Sequence, residues 1–357
     1  MKVLFYHNIP VNYWYEEWRA KRCPGHILYG FTELNKYGVE AFGYDIPFDP
    51  YRNRFRLMWY NLKQILILYR QFDLIYAVTH RGLELVIFLR ALGIIRKPIV
   101  VWHHTAVVSS SNRIRNALSS FFYKGMDKLF FFSEPLLKRS LLTHKVTKEK
   151  VALIHWGADL KFYDMLRRER STKDYFISTG RENRDFVTLI KAFNQIDQTC
   201  EIYTTEKIGD KDYRKILEEQ LNESIADNVH LRFVNTGYSD LAEKVNNAMG
   251  VVICSFDLPY TVGLTTLVEA LALGLPVITT ANKNYPIDVE CEGVGLAIPF
   301  GDVQSWVKAI RFLISHPAEA KEMGEKGRLL AEKLYNLDYF AREVAEELLM
   351  MGKRIVR

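Results

Sequence analysis

Residues 258–280 constrain the fold of this chain more than any other segment. They follow an apolar stretch, residues 251–255, that predicts a buried strand. Gly263 precedes a run with helical periodicity, Gly274 ends that run, and a second apolar stretch predicts the next strand. A strand, loop, helix and strand in this order place a helix N-terminus at the carboxyl edge of a parallel sheet, where α/β proteins bind phosphate groups.

The predicted helix carries a single carboxylate on its polar side. At about 100° per residue one face carries Leu264, Leu267, Val268 and Leu271. Thr265, Thr266 and Glu269 lie roughly opposite. Glu269 lies about 7 Å along the axis from the helix start. A phosphate bound at that start would leave a ribose diol within reach of the carboxylate, although a solvated glutamate on an ordinary amphipathic helix produces the same pattern.

Strand-like and helix-like segments alternate in two successive runs. Strands are predicted at residues 3–6, 39–44, 74–78, 99–102 and 128–132, and again at 175–179, 201–204, 229–233, 251–255 and 276–280. Helices are predicted at residues 27–36, 83–92, 186–195, 212–222, 238–248, 303–315 and 318–334. This alternation predicts parallel sheets covered by helices on both faces, and hence an α/β fold with two Rossmann-like domains. We place the boundary at the charged stretch that begins at residue 164.

Length and composition narrow the class of protein further. A chain of 357 residues with 48% apolar residues suits two globular domains. It lacks an apolar run long enough for a transmembrane helix and lacks a signal-peptide pattern. Its four cysteines, at positions 23, 200, 254 and 291, form no CxxC pair, which is typical of a reducing compartment. We therefore expect a cytoplasmic protein.

Positive charge is concentrated in the first half of the chain. Residues 1–159 contain 23 Lys and Arg against 12 Asp and Glu, whereas the remainder contains 25 against 30. Residues 52–70 and 113–128 mix basic and aromatic side chains, a composition that favours an anionic membrane surface, although helices packed on a sheet with basic ends look similar. No nucleic-acid-binding motif is present, so we expect no nucleic-acid partner. The basic and aromatic segments instead suggest a peripheral position on the inner face of the plasma membrane.

Three motifs together resemble one family. Residues 269–278 read Glu-Ala-Leu-Ala-Leu-Gly-Leu-Pro-Val-Ile, and residues 178–192 place Gly180-Arg181 and Arg184 between a strand and a helix. Residues 155–163 resemble a Gly-x-Asp-x-x-x-Phe segment. The chain is similar, over most of its length, to the retaining glycosyltransferases of group 1, which have the GT-B fold and use nucleotide sugars.

The resemblance implies a domain organisation. Residues 1–163 would form an acceptor-binding Rossmann-like domain and residues 164–335 a nucleotide-sugar-binding one, the two facing each other across a cleft. The last segment, residues 336–357, would form a helix that crosses back to the first domain. The donor would be a UDP- or GDP-sugar and the acceptor a saccharide or a lipid-linked saccharide, in the biosynthesis of a cell-surface polysaccharide or glycan.

The resemblance also assigns roles to residues. Two arginines would stabilise the departing diphosphate, and a histidine at the end of a first-domain strand would face the donor sugar; these catalytic residues are Arg181, Arg184 and His104. The donor-binding residues would be Glu269, Thr261, Gly263, Leu264, Thr265, Thr266 and His103. The alternatives are surface arginines paired with Glu182 and Asp185, and histidines that only pack.

Two departures from the family pattern keep other functions open. Thr261 stands where the family has a first glutamate, and the glycine-rich loop after the first strand is replaced by residues 14–25, rich in Trp, Arg and Glu. One alternative is a non-catalytic nucleotide-sugar-binding or scaffold subunit. Another is an epimerase, or a phosphorylase with lysine-bound pyridoxal phosphate.

Metal binding has little support in the sequence. The histidines and cysteines are scattered, and the single Asp-x-Asp, residues 210–212, lies in a polar stretch. Since helix dipoles and basic side chains can neutralise a diphosphate, we predict a metal-independent enzyme without a cofactor.

Overall fold

The computed structural model describes residues 1–171, 173–208, 211–234 and 236–355. Over these residues the chain divides into two compact units. Unit 1 consists of Met1–Ala20, Gly25–His155 and the described part of Leu337–Arg357, and unit 2 consists of Lys21–Pro24 and Trp156–Asn336. Both termini of the described chain therefore belong to unit 1.

Unit 1 contains a six-stranded parallel sheet. Its elements before residue 155 are β1 (Lys2–Tyr6), α1 (Val11–Arg19), β2 (Glu40–Phe42), α2 (Arg54–Ile67), β3 (Leu74–Ala77), α3 (Glu84–Ala91), β4 (Ile99–Trp102), α4 (Arg113–Lys124), β5 (Lys128–Phe131), α5 (Glu134–Leu141) and β6 (Val151–Leu153). The strand order is β2-β1-β3-β4-β5-β6. Strands β3, β4 and β5 are buried along their whole length, as their apolar sequences require in a sheet covered on both faces.

Unit 2 contains a second six-stranded parallel sheet. Its elements are α6 (Leu160–Arg168), β7 (Tyr175–Thr179), α7 (Phe186–Phe193), β8 (Thr199–Thr204), β9 (Lys207–Ile208), β10 (Lys211–Asp212), α8 (Tyr213–Gln220), β11 (Val229–Phe233), α9 (Tyr238–Asn247), β12 (Gly250–Ile253), α10 (Leu264–Leu273), β13 (Val277–Thr280), β14 (Gly295–Ile298), α11 (Val303–Ser315) and α12 (Pro317–Lys333). The final helix, α13 (Leu337–Ile355), returns to unit 1.

The order of strands in unit 2 creates a place for a ligand. The sheet runs β11-β8-β7-β12-β13-β14, so successive strands are added in opposite directions on either side of the β7–β12 pair. Chain connections therefore diverge above the carboxyl ends of these two strands and leave a crevice. Open α/β sheets bind their ligands at such a switch point. The loops that follow β7 and β12 form its walls.

The sequence predicted most elements, but not all. The predicted helix at residues 27–36 is wrong: two short 3₁₀ segments, Gly25–Leu28 and Leu34–Tyr37, flank a turn instead. Tyr29 and Gly30 have positive φ angles of 49° and 82°, which interrupt a helix. Helix α1 occupies part of residues 14–25, and β6 and β14 were not predicted.

The division between the units lies at residues 155 and 156, earlier than the predicted boundary after residue 163. Helix α6 accounts for the difference, because it packs against α9 and α10 of unit 2. Its side chains Phe162 and Tyr163 are buried there. The charged stretch that begins at residue 164 therefore starts within a packed helix of unit 2.

Candidate functional site

The two loops at the switch point of unit 2 are joined to each other. Arg184, in the loop after β7, forms an isolated antiparallel bridge with Ser255, just beyond β12. The Asp185 amide donates to the Cys254 carbonyl at 3.0 Å. Asp185 also begins α7, since its carboxylate accepts a hydrogen bond from the Thr188 amide at 3.0 Å. These contacts fix the loop backbone that carries Arg181 and Arg184.

The second loop, between β12 and α10, is fastened by the segment after β13. The Asn282 side chain donates to the Tyr260 carbonyl at 3.0 Å, and the Asn284 side chain donates to the Leu258 carbonyl at the same distance. The Tyr285 hydroxyl donates to the Val262 carbonyl at 2.5 Å. A loop held at three carbonyls presents the start of the following helix in a defined position.

Gly263 is the N-cap of α10, and its surroundings leave no room for a Cβ atom. Its φ angle is +91°, and a Cβ atom there would lie 2.6 Å from Ile253 Cγ2 and 2.8 Å from the Tyr285 hydroxyl. Among the described residues, no side chain caps the helix. The first-turn amides, including those of Thr265 and Thr266, therefore have the arrangement that binds anions at helix starts.

We predict that Gly263→Ala destabilises unit 2 by about 1 kcal/mol more than Gly301→Ala does. Gly301 is a matched control because it also has a positive φ, +70°, but a Cβ there would meet nothing within 4 Å. The difference therefore isolates the clash with Ile253 and Tyr285 from backbone strain. Denaturant unfolding of both variants measures it, and equal losses would mean that the helix start has room for a methyl group.

Arg184 places a half-buried guanidinium beside the start of α10. Its Nε donates to the Thr179 carbonyl at 3.3 Å, and its Nη2 donates to Thr266 Oγ1 at 3.4 Å. Gly180 makes room for it, since a Cβ there would lie 2.5 Å from Arg184 Nε. Burial lowers the pKa of Arg184 below that of an exposed guanidinium. Within the described part of the chain it forms no ion pair, so a cation and a helix N-terminus meet without an anion.

Arg181 lies at the beginning of the same loop and is exposed. Its charge acts on Tyr238, the first residue of α9, whose pKa is raised by burial and by Glu269 but lowered by Arg181. Arg181 has no ion-pair partner in the ranges that the structure describes. The alternative of arginines paired with Glu182 and Asp185 is thus not what the structure contains, since Asp185 caps α7 instead.

Glu269 is held by a tyrosine of unit 2. The Tyr163 hydroxyl donates a hydrogen bond to Glu269 Oε1 at 2.7 Å. Tyr163 is 2% exposed, and burial together with the Glu269 charge raises its pKa well above the ordinary value. The tyrosine therefore stays protonated and remains a donor. The carboxylate is half-buried on α10, nearly two turns beyond Gly263.

The remaining donor-site candidates differ in exposure. Leu264 is buried and packs below the helix start, Thr265 is exposed, and Thr266 is buried beside Arg184. Thr261 is half-buried in the fastened loop, and its carbonyl accepts from the Leu264 amide at 3.3 Å. Its hydroxyl makes no hydrogen bond to a described residue. A short neutral side chain thus occupies the position of the family's first glutamate.

The two candidate histidines follow β4 in unit 1 and have different surroundings. His103 is buried, with Nδ1 at 2.5 Å from the Thr105 carbonyl and Nε2 at 2.8 Å from the Tyr123 hydroxyl. His104 Nε2 lies 3.0 Å from the Tyr29 hydroxyl, and its Nδ1 has no partner among described residues. Burial lowers the pKa of each histidine to about 4, so both are neutral at pH 7. Both ring nitrogens of His103 thus have partners within unit 1, whereas one ring nitrogen of His104 has no partner among the described residues.

Side chains that could ligate a metal ion are scattered over the described residues. No group of three or more His, Cys, Asp or Glu among the described residues is arranged to hold a metal ion. Asp210 of the Asp-x-Asp sequence lies outside the described residues, and Asp212 is the N-cap of α8. The site at the switch point is built from arginines and backbone amides.

Four residues that support this site were not predicted as site residues from the sequence. Tyr163, Thr179, Gly180 and Tyr285 each position a predicted site residue. Tyr163 could have been singled out from the sequence, because it stands where the family's Gly-x-Asp-x-x-x-Phe segment has its phenylalanine. The added hydroxyl is the atom that binds Glu269.

Comparison with solved structures identifies the fold class. A sucrose-phosphate synthase from Thermosynechococcus elongatus matches with a TM-score of 0.70 and 17% identity over 99% of both chains. Anabaena Alr3699/HepE in complex with UDP matches with a TM-score of 0.67 and 18% identity, over 98% of this chain and 100% of that one. A Rickettsia africae glycosyltransferase matches with a TM-score of 0.67 and 14% identity, over 100% and 98%. The predicted GT-B fold is confirmed.

Residues 166–330 match the model of the family described as "Glycosyl transferases group 1". This segment, which makes up just under half of the chain, is similar to the glycosyltransferases of group 1, the class of enzyme that the sequence predicted. The predicted class of enzyme is therefore confirmed, and the matched residues contain all of the switch-point site in unit 2. No protein of curated function matches the chain.

Proposed function

We propose that the switch-point site of unit 2 binds the diphosphate of a UDP- or GDP-sugar between Arg184 and the start of α10. This proposal rests on the proximity of a half-buried guanidinium that has no ion-pair partner among the described residues to a helix N-terminus without a side-chain cap. Two positive features at this distance repel each other unless an anion lies between them. A diphosphate supplies that anion, and Arg181 at the loop entrance supplies a second cation.

The same groups would stabilise the leaving nucleotide. As the bond from the sugar to the diphosphate breaks, negative charge grows on the phosphate oxygen that departs. The first-turn amides of α10, Arg184 and Arg181 are already oriented toward that charge, so little reorganisation is needed in the transition state. The sugar is then transferred with retention of configuration, as in the family. No group on the enzyme needs to form a covalent bond in this scheme.

Glu269 would bind the ribose. A carboxylate two turns from the helix start accepts hydrogen bonds from the two ribose hydroxyls when the diphosphate occupies the start. Tyr163 would keep this carboxylate in place before the donor binds. Thr261, with a free hydroxyl, would contact the sugar where the family's glutamate normally does, and the shorter neutral group would give a weaker contact.

For the acceptor we propose a saccharide or lipid-linked saccharide held by unit 1, with His104 near the sugar end of the donor. The acceptor proposal is supported by WaaG, a similar structure with 13% identity that is described as involved in lipopolysaccharide biosynthesis. The UDP-sugar donor is supported by Anabaena Alr3699/HepE, which was solved with UDP-glucose. A lipid-linked acceptor would place the protein in the cytoplasm at an anionic membrane surface, in the assembly of a cell-surface glycan.

A calorimetric panel of nucleoside diphosphates tests the donor assignment. UDP or GDP should bind, and at about 100 times its Kd it should raise the free energy of unfolding by about 2.7 kcal/mol. Slow hydrolysis of the matching nucleotide sugar in the absence of acceptor would separate an active enzyme from a non-catalytic binding subunit. Failure of every nucleoside diphosphate to bind would overturn the proposal.

We predict that chelation with EDTA leaves turnover nearly unchanged. Arg181, Arg184 and the start of α10 can supply the neutralisation that a divalent ion would otherwise give. Initial rates with and without EDTA, after passage through a chelating resin, measure the effect. Activity that is lost on chelation and restored by magnesium or manganese would contradict the metal-independent mechanism.

We predict that His104→Ala lowers kcat while nucleoside diphosphate affinity persists, because a histidine in unit 1 would act on the sugar and not on the nucleotide. The effect of losing one positioned neutral group should be about tenfold. His103→Ala is the comparison, since both its ring nitrogens are already occupied within unit 1. If His104→Ala were as active as the wild type, His104 would have no role in turnover and would serve only in packing.

A further inference from the structure

Large apolar side chains are exposed on one unit and not on the other. Among the described residues, thirteen such side chains in unit 1 are at least half exposed, against one, Leu329, in unit 2. Ten of the thirteen fall within residues 51–125, which include α2, α3 and α4. Solvent exposure on this scale within one stretch of chain marks a surface that contacts something other than water.

Helix α2 carries an apolar stripe outside its packed face. Leu57, Leu62 and Ile65 are buried against the sheet of unit 1. Phe55 and Trp59, one turn apart, are 73% and 63% exposed, and Leu66 continues the same face two turns later. The stripe therefore lies beside the buried face and faces solvent.

Helix α4 repeats the arrangement. None of its twelve described residues is buried. Ile114, 74% exposed, and Leu118 lie one turn apart, and Phe121 follows on the same face. The Phe121 ring stacks on Phe88 of α3 with centroids 6.1 Å apart, and α3 packs against both α2 and α4. The two stripes thus belong to neighbouring helices of one surface.

This surface has a strong and uniform charge. Residues 51–125 contain twelve Lys and Arg but only two acidic residues, Asp73 and Glu84. Glu84 is already neutralised by Arg54, whose Nε donates to it at 2.8 Å. Helices α2 and α4 contain no acidic residue at all, and Lys63, Arg113 and Arg115 are exposed beside the apolar stripes.

We propose that α2, α3 and α4 form an insertion surface that docks unit 1 on an anionic lipid bilayer, with Phe55, Trp59, Ile114 and Leu118 entering the headgroup region. Helices with Lys and Arg on one side and Trp, Phe or Leu on the other lie in the membrane interface. In the described ranges, no helix is both long and apolar enough to cross a bilayer, so the contact is a one-sided one. The biological meaning of the surface rests on the lipid-linked acceptor proposed above.

Other occupants fit the surface less well. A nucleic acid would match the charge but would leave the exposed leucine, isoleucine and aromatic side chains without apolar partners. A second copy of the chain would match the apolar stripes but would bring two strongly basic surfaces together, which repel. An anionic bilayer satisfies both features at once.

Cosedimentation with phosphatidylcholine vesicles, with and without about 30% phosphatidylglycerol, tests the proposal. The wild-type protein should bind the anionic vesicles. The combined variant Phe55→Ser, Trp59→Ser, Ile114→Ser and Leu118→Ser should bind at least about thirtyfold more weakly, because four partly inserted apolar groups are lost. All four side chains are exposed, so the fold should be retained, and Leu329→Ser in unit 2 is the matched control.

A charge variant separates the electrostatic contribution. Lys63→Gln, Arg113→Gln and Arg115→Gln together should weaken binding to anionic vesicles about a hundredfold, near fivefold for each charge. Lys173→Gln, Lys308→Gln and Lys333→Gln, exposed in unit 2, are the control and should change little. Subtracting the emission spectrum of Trp59→Phe from that of the wild type isolates the fluorescence of Trp59. A blue shift of this difference spectrum when vesicles are added would report insertion of Trp59.

Three results would overturn the proposal: wild-type binding that does not depend on phosphatidylglycerol, serine-variant binding equal to wild type, or a wild-type dimer that the serine variant converts to a monomer. Calorimetry with UDP and GDP distinguishes a failure of the membrane proposal from a failure of the proposed nucleotide-sugar donor site. The serine variant should bind nucleotide like wild type. Loss of nucleotide binding in every protein, with vesicle binding intact, would instead count against the proposed function.

Discussion

Replacing Arg184 by alanine is expected to lower kcat about 100-fold, equivalent to about 2.7 kcal/mol of transition-state stabilisation. The guanidinium lies beside the start of α10, where charge would develop as the nucleotide departs. Because that charge is larger in the transition state than in the bound donor, KM should change much less than kcat. Steady-state kinetics with the cognate nucleotide sugar and acceptor measure both constants.

Controls separate this effect from a disturbed loop. Arg184→Lys keeps a cation and should recover part of the rate, although the lysine cannot contact both Thr179 and Thr266. Arg168→Ala removes an exposed guanidinium at the end of α6 and should leave kcat unchanged. Arg181→Ala should have a smaller effect, about tenfold, since Arg181 is exposed and screened. A folded Arg184→Ala protein with wild-type kcat would remove this residue from the mechanism.

Glu269→Gln is expected to weaken nucleoside diphosphate binding by about 1.5–3 kcal/mol, the range for a hydrogen bond to a charged group. Tyr163→Phe should weaken it by about 0.5–1.5 kcal/mol, because the carboxylate loses the donor that orients it. Both losses should appear in affinity, measured by calorimetry, with little change in kcat. The second variant also restores the phenylalanine of the family segment.

A double-mutant cycle decides whether the two residues act together. If Tyr163 acts through Glu269, the double variant should lose less affinity than the sum of the single variants. Tyr175→Phe is a suitable control, since the Tyr175 hydroxyl also donates a hydrogen bond in unit 2, to the Lys244 carbonyl at 2.6 Å. Strict additivity of Tyr163→Phe and Glu269→Gln would show that Tyr163 stabilises α6 without positioning the carboxylate.

Much of the fold could be predicted because local signals agreed with the tertiary structure. Helix α10 begins and ends where expected, since Gly263 and Gly274 both have positive φ angles that stop a helix. Several strands, including β4, β7 and β11, have the predicted bounds because their apolar runs end at polar or turn residues. The helix predicted at residues 27–36 does not form, and a contact distant in sequence bears on this. Gly30 packs against Phe340 of α13.

The candidate site was predictable only in part. Motifs identified Arg184 and Glu269, because their positions relative to a strand and a helix start can be read locally. The contacts that orient them cannot be read in this way, since Tyr163 and Thr266 lie far in sequence from the residues that they contact. Exposure is the other missing quantity. The sequence marked α2 and α4 as basic and aromatic, but only the packing distinguishes the exposed Trp59 from the buried Leu62.

The return of α13 to unit 1 has a consequence for how the protein is made. Phe340 stacks on Trp102 with ring centroids 5.5 Å apart, and Glu343 and Glu347 pair with His155 and Lys128. A ribosome synthesises these partners after both sheets, so the first sheet of the nascent chain emerges without the helix that covers part of it. Domains normally fold in the order in which they are synthesised. Here the unit that is begun first is completed only after the whole of unit 2 has been synthesised.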